Sequence, residues 1–238
     1  MNKTLTAAIA GFIFTSIFLV ACKKNDNSGP QPDGHVLLVN ASPGDTVAYD
    51  FYFNDTKLNT QPLNYSSNSG YLTLKPANYT VKIAAINTIN PIASGSVGVG
   101  SAAYYSVFAY DTLLSGKIKT FAIQDDLTAP AAGKSKVRFL HLSPVNLSVD
   151  ILANDSVIFA NRSYADNVTN NSKSAFASIN AGVYTIKVKL AGSGDGIPSI
   201  LTLNNISLSA GSVYTIFAKG KVNGTGVNAL GVEIITNK

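Results

Sequence analysis

The sequence predicts an all-β protein built from two tandem antiparallel β-sandwiches, of an Ig-like or transthyretin-like kind. Three observations lead there. Residues 35–125 and 136–238 carry the same five blocks in the same order, and an internal repeat constrains the architecture before any single element is considered. Within the blocks, apolar and polar residues alternate with the period of two that marks a half-buried strand. Between them Gly, Pro, Asn and Asp cluster, and beyond residue 22 no segment sustains a helical period, the pattern of short strands and turns in a sandwich or barrel.

The elements follow in chain order. Residues 1–21 begin with a polar stretch containing Lys3 and continue as an apolar run over residues 5–20. That run falls short of the roughly 20 residues a spanning helix needs, so it reads as a secretory signal peptide. At its exit, Leu19-Val20-Ala21-Cys22 resembles the bacterial lipobox, in which a diacylglyceryl group joins the cysteine thiol and cleavage falls just before it. The resemblance implies lipidation at Cys22 and a membrane partner reached through a lipid anchor, since two or more acyl chains hold stably where one does not. Residues 22–34 are dense in Asn, Asp, Gly and Pro and read as a flexible tether, able to reach about 40 Å at roughly 3.3 Å per residue. No Asp follows the cysteine directly, which resembles lipoproteins sorted to an outer membrane. Lys23-Lys24 with Asp26 is loosely similar to the surface-export tethers of the Bacteroidetes. The expected location is the cell envelope, lipid-anchored at the outer membrane, with the periplasmic and the surface-facing orientations both left open.

The first sandwich is expected over residues 35–125 and the second over 136–238, with a linker at 126–135 containing Thr128-Ala129-Pro130-Ala131-Ala132-Gly133. Val39-Asn40-Ala41-Ser42-Pro43 matches Leu140-His141-Leu142-Ser143-Pro144, and Asp50-Phe51-Tyr52-Phe53-Asn54-Asp55 matches Asp150-Ile151-Leu152-Ala153-Asn154-Asp155. Tyr65 matches Tyr164. Tyr79-Thr80-Val81-Lys82-Ile83 matches Tyr184-Thr185-Ile186-Lys187-Val188, and Tyr105-Ser106-Val107-Phe108-Ala109 matches Tyr214-Thr215-Ile216-Phe217-Ala218. Alternation places Tyr79, Val81 and Ile83 inward, with Thr80 and Lys82 outward. Tyr184, Ile186 and Val188 likewise oppose Thr185, Lys187 and Lys189, and Asp50 and Asp150 point outward.

Val137-Arg138-Phe139-Leu140-His141-Leu142-Ser143-Pro144, Val149-Asp150-Ile151, Ala181-Gly182-Val183-Tyr184-Thr185-Ile186 and Ala210-Gly211-Ser212-Val213-Tyr214-Thr215-Ile216-Phe217-Ala218 together resemble the bacterial "domain of unknown function 4397" family. The first copy departs from the pattern at Asn40, which replaces the histidine, and at Pro76-Ala77-Asn78-Tyr79, which replaces the Ala-Gly-x-Tyr turn. The resemblance implies a β-sandwich and brings no established activity.

Composition removes several function classes. Hydrophobic residues are 46% and charged residues 13%, about half the usual quarter, which excludes a disordered chain or a coiled coil. The net charge of +5 is spread thinly, without the dense basic patch of a nucleic-acid binder. One Cys and two His leave no intrachain disulfide, no cysteine zinc site and no multi-histidine metal site. No cofactor is expected.

The remaining candidates are weighed against plainer roles. Ser143 beside His141 invites a nucleophile reading, but Ser-Pro after a strand reads first as a turn whose hydroxyl caps a backbone group. Asp50 and Asp150 read as acceptors for neighbouring loops, Asn54-Asp55 and Asn154-Asp155 as hairpin turns, and Gly192-Ser193-Gly194-Asp195-Gly196 as a hairpin loop. Tyrosine is uneven: eight of eleven lie in the first copy. Tyr52, Tyr104 and Tyr110 alternate to its outer face, where they would form a platform for a glycan or protein, or pack against the second copy. The first copy holds five basic and five acidic residues and the second nine and five. Lys187 and Lys189 therefore read as a basic contact surface. Thr46, Thr112 and Ser156 lie in Asp-Ser/Thr-aliphatic triplets that resemble Bacteroidetes O-glycosylation sites. The expected function is a non-enzymatic envelope lipoprotein binding a glycan or envelope protein, in adhesion or envelope assembly. A structural accessory subunit of an outer-membrane complex is the alternative, and a hydrolase around His141 and Asp150 ranks third.

Overall fold

The alternating blocks of each copy become eight strands, and the two copies repeat the same plan. The structure, a computed structural model, describes residues 29–44, 47–112, 118–164, 166 and 171–238. The first copy forms β1 (Gly34–Asn40), β2 (Tyr49–Phe53), β3 (Thr56–Lys57), β4 (Asn68–Leu74), β5 (Ala77–Ala85), β6 (Pro91–Val99), β7 (Tyr104–Tyr110) and β8 (Lys119–Asp125). The second forms β9 (Lys134–His141), β10 (Val149–Ala153), β11 (Ser156–Arg162), β12 (Ala177–Asn180), β13 (Gly182–Leu190), β14 (Leu201–Leu208), β15 (Val213–Lys219) and β16 (Gly231–Thr236). Helix among the described residues is limited to short 3-10 turns such as Asn171–Ser174 and to the single α-helical residue Asp166.

Each copy is a sandwich of two four-stranded sheets. In the first, β4-β1-β7-β8 faces β3-β2-β5-β6, and in the second β12-β9-β15-β16 faces β11-β10-β13-β14. Val36, Leu38, Phe51, Val81, Ile83 and Val107 fill the first core, and Val137, Phe139, Ile151, Ile186, Val188 and Ile216 fill the second. Val81, Ile83, Ile186 and Val188 are inward as the alternation reads them, and Tyr79 and Tyr184 pack half-buried against the same cores. The hairpin turns also form as expected. Asn54 and Asp55 have φ of 48° and 67°, and Asn154 and Asp155 have 46° and 66°, the left-handed pair of a tight turn that suits Asn and Asp. In both copies the turn is braced alike: the Asn side chain accepts from Thr80 N or Thr185 N, and the Asp pairs with Lys82 or Lys187.

Two expectations about the sandwiches need correction. They are not purely antiparallel, because β1 runs parallel to β7 and β9 parallel to β15. A parallel pair needs a long crossover, and each copy supplies it by building its other sheet between the two strands. The tether also ends before residue 34. Gly34 is already the first residue of β1, where a Cβ would lie 2.4 Å from Val99 and 2.6 Å from the Gly100 carbonyl, and Asp33 pairs with Lys75 at 2.8 Å.

A third apolar layer joins the copies. Leu37, Val39, Phe108 and Tyr110 from β1 and β7 meet Leu140, Leu142, Phe217 and Ile235 of the second copy. The two sheets at the centre are therefore covered on both faces, and Gln31–Lys238 forms one compact unit. The copies lie side by side in the same sense. The loops after β1 and β15 meet through Gly44 and Asn228, and at the other end Lys136 and Lys238 reach Asp126 and Leu127 of the linker.

Candidate functional site

The seam between the copies is apolar at its middle and polar toward the linker end. Register places Leu37 of the first copy at the position of Arg138 in the second, and Asp125 at the position of Asn237. The duplicated positions have thus become a complementary pair. Arg138 is fully buried, with Nη2 2.7 Å from Asp125 Oδ1 in an ion contact. Its Nε donates to Thr215 Oγ1 at 2.9 Å and its Nη2 to Ser106 Oγ at 3.1 Å. Tyr71 and Ser106 donate to Asp125 Oδ2 at 2.6 and 2.7 Å, and Asn237 closes the ring between Tyr71 and Thr215. Burial, and the Asp125 charge beside it, push the Tyr71 hydroxyl well above its usual range. Phe176 lies over the guanidinium at 4.5 Å.

In front of this network opens a cleft of about 1090 Å³. Tyr104 and Phe176 supply aromatic surface, Ala103 and Ile123 aliphatic surface, and Gln124 and Asp126 polar groups. Its rings are fixed from behind: Tyr104 stacks on His35 at 4.6 Å and meets Tyr71 edge-on at 5.2 Å. Asp126 accepts from Lys136 at 2.7 Å and from Thr128 N and Oγ1, which holds its carboxyl down at about 2. Gln124 is exposed at the cleft.

Two further clamps cross the seam at its opposite flanks. Tyr164 donates to Asp111 Oδ2 at 2.7 Å, and Lys119 pairs with the same oxygen at 2.8 Å. Burial opposes charge on Asp111, but these bonds hold it ionised below the usual range. Ser66, with a φ of 66°, donates to Glu233, and Lys219 bonds both.

The residues singled out from sequence are scattered by this geometry. Tyr104 lines the cleft. Tyr52 is half-buried on the far sheet beside Lys57 and Lys82. Tyr110 does alternate away from the first core, but that face is the seam, where it is 2% exposed and pushed up to about 12 by burial. It belongs to no open platform. Lys187 is committed to Asp155, and Lys189 is 8% exposed and donates to the Gly194 carbonyl at 2.9 Å, so the two do not make a free basic surface. Thr112 is 7% exposed, too enclosed to accept a glycan, whereas Ser156 is exposed on β11. Thr46 and Cys22 lie outside the described residues.

The plainer roles hold for the other candidates. Ser143 Oγ donates to the Gly220 carbonyl at 2.7 Å, and Ser42 Oγ does the same to Asp111 at 2.6 Å. His141 is 4% exposed, and burial lowers its pKa. Asp150 accepts from Asn161 N and Gly192 N. Asp50 faces away from the core but is covered there, held by Lys57 and Asn59. Among the described residues, no group of three or more His, Cys, Asp or Glu is placed to hold a metal ion. Sequence reasoning missed Arg138, Asp125, Gln124, Asp126 and Phe176. One signal was present: an arginine within the apolar run Val137-Arg138-Phe139-Leu140, where the first copy has Leu37.

The family model described as Domain of unknown function (DUF4397) matches residues 34–152, which covers the first copy and extends into β10. No curated protein matches. Among solved structures, the Bacillus anthracis TIE protein aligns at 14% identity and a TM-score of 0.21, over 80% of this chain and 34% of that one. This chain thus spans about a third of that protein's length. A CBM26 carbohydrate-binding module of Eubacterium rectale, in complex with maltoheptaose, aligns at 13% identity and a TM-score of 0.22, over 86% and 97%. A candidate cell adhesion protein of Bacteroides eggerthii aligns at 10% identity and a TM-score of 0.17, over 88% and 97%.

Proposed function

The chain belongs to the DUF4397 family, and from that premise we propose that it is a non-enzymatic lipoprotein of the cell envelope whose seam cleft binds a glycan or protein partner. The observation that carries this reading is the cleft itself: pre-stacked aromatic surface beside exposed polar groups, the usual composition of a recognition site. The engaged hydroxyl of Ser143 and the burial of His141 weigh against a hydrolase. The apolar run ending in Leu19-Val20-Ala21-Cys22 supports the lipid anchor, and Lys23 rather than Asp directly after the cysteine supports an outer-membrane location. Two measurements test the proposal. Palmitate should label wild type and not Cys22→Ala; equal labelling removes the anchor. Wild type used as bait on solubilised envelope should retain a partner that Gln124→Ala loses, and retention unchanged by that substitution removes the cleft.

A second reading, an accessory subunit of an outer-membrane complex, draws on the end of the unit away from the linker. There the loops expose aliphatic side chains, Ile89 at 88% and Val227 at 71% among them. A membrane-protein partner retained by Gln124→Ala but lost on Ile89→Ser would favour it.

A further inference from the structure

We infer that the seam cleft takes a neutral oligosaccharide, an inference that rests on the cleft being the binding site proposed above. Charge is the first argument. Each carboxylate lining the cleft already has its own cation, Asp125 with Arg138 and Asp126 with Lys136, both at 2.7 Å. The Lys238 ammonium donates to the Leu127 carbonyl at 3.1 Å. A phosphate or uronate entering here would meet the Asp126 carboxylate and, of the cations lining the cleft, only the Lys238 ammonium, without the arginine fork that holds such anions bidentately.

The second argument is shape. A sugar ring presents apolar C–H faces and a rim of hydroxyls. Tyr104 and Phe176 offer ring surface for the faces, and each is already packed on one side, by His35 and by the Arg138 guanidinium. Side chains ordered before binding reduce the entropy cost of capture. For the rim, the exposed Gln124 amide presents both a donor and an acceptor, and the Asp126 carboxylate accepts only. Two adjacent hydroxyls, one accepting and one donating, satisfy that amide. The volume of about 1090 Å³ lies just above the roughly 300–1,000 Å³ of small-molecule sites, so the cleft has room for more than one sugar ring.

The intact protein is applied to an array of neutral hexose and N-acetylhexosamine oligosaccharides, with tetragalacturonate as the anionic probe and linear peptides alongside. The strongest neutral oligosaccharide is then titrated by calorimetry. Binding to a neutral oligosaccharide is expected, with Kd raised at least tenfold by Gln124→Ala and by Tyr104→Ala and unchanged by Tyr52→Ala. Gln124 is exposed on an edge strand, so its variant reads recognition without loss of fold. Peptide binding lost on Gln124→Ala, or binding of tetragalacturonate alone, overturns the neutral saccharide and leaves the cleft standing. Sugar binding untouched by both cleft substitutions, or no binding to any probe, overturns the cleft as well.

Discussion

Replacing Arg138 with leucine, the residue at the matched position of the first copy, removes the cation that faces Asp125 within the seam. The Asp125 carboxylate keeps Tyr71 and Ser106 as donors but loses its counter-charge at 2.7 Å, with both side chains fully buried. Breaking a buried pair from one side costs about 3–5 kcal/mol, because the remaining charge stays desolvated. Asp125→Asn, which installs the residue of the second copy, should cost a similar amount by stranding the guanidinium. The double variant removes both charges, and replacing a whole buried pair is often close to neutral. A double-mutant cycle by urea unfolding at pH 7 should therefore be strongly non-additive, the double variant falling about 2–3 kcal/mol or more short of the sum of the singles. Singles that each cost less than about 1 kcal/mol, as for an exposed pair, with additive effects, would show that the seam is open to water and refute the reasoning.

The other predictions concern single side chains. Tyr110→Ala should cost about 3–5 kcal/mol, as large-to-small changes at buried aromatics do, while Tyr52→Ala should stay within about 1 kcal/mol; thermal unfolding of the two variants checks the contrast. Burial holds the folded-state pKa of His141 below its usual value, so the unfolded chain takes up the proton first and stability rises with pH across that window. The contribution is full above about pH 6.5 and shrinks as pH falls toward the folded value. His141→Asn, the residue found at Asn40, should flatten that slope in urea titrations between pH 5 and 7.5, and an unchanged slope would contradict the assignment. Lys187→Ala removes an exposed pair with Asp155 and should shift stability by less than about 1 kcal/mol.

The sandwich cores were legible in sequence because Tyr79, Val81 and Ile83, and their counterparts in the second copy, alternate with polar residues that face solvent. The seam was less legible for the same physical reason. β1 and β7 are buried on both faces, and such strands read as continuous apolar runs, as in Val36-Leu37-Leu38-Val39 and Val107-Phe108-Ala109-Tyr110. Alternation correctly put Tyr110 away from the first core, but nothing in its own strand says whether water or the second copy lies there. The parallel pairing of β1 with β7 was hidden too, since it depends on the path of the chain between them. The cleft is assembled from loops and edges of both copies. Tyr104 was accessible to the pattern argument, whereas Gln124 and Phe176 owe their position wholly to tertiary packing.

Hydrogen exchange on the intact protein, with and without the neutral oligosaccharide selected on the array, tests the central claim most directly. Binding should slow exchange in residues 101–104, 122–128 and 174–176, drawn from both copies, and leave the outer face around Tyr52 unchanged. Protection confined to one copy, or centred on Tyr52 and the loop of Ile89, would contradict a site made by the seam.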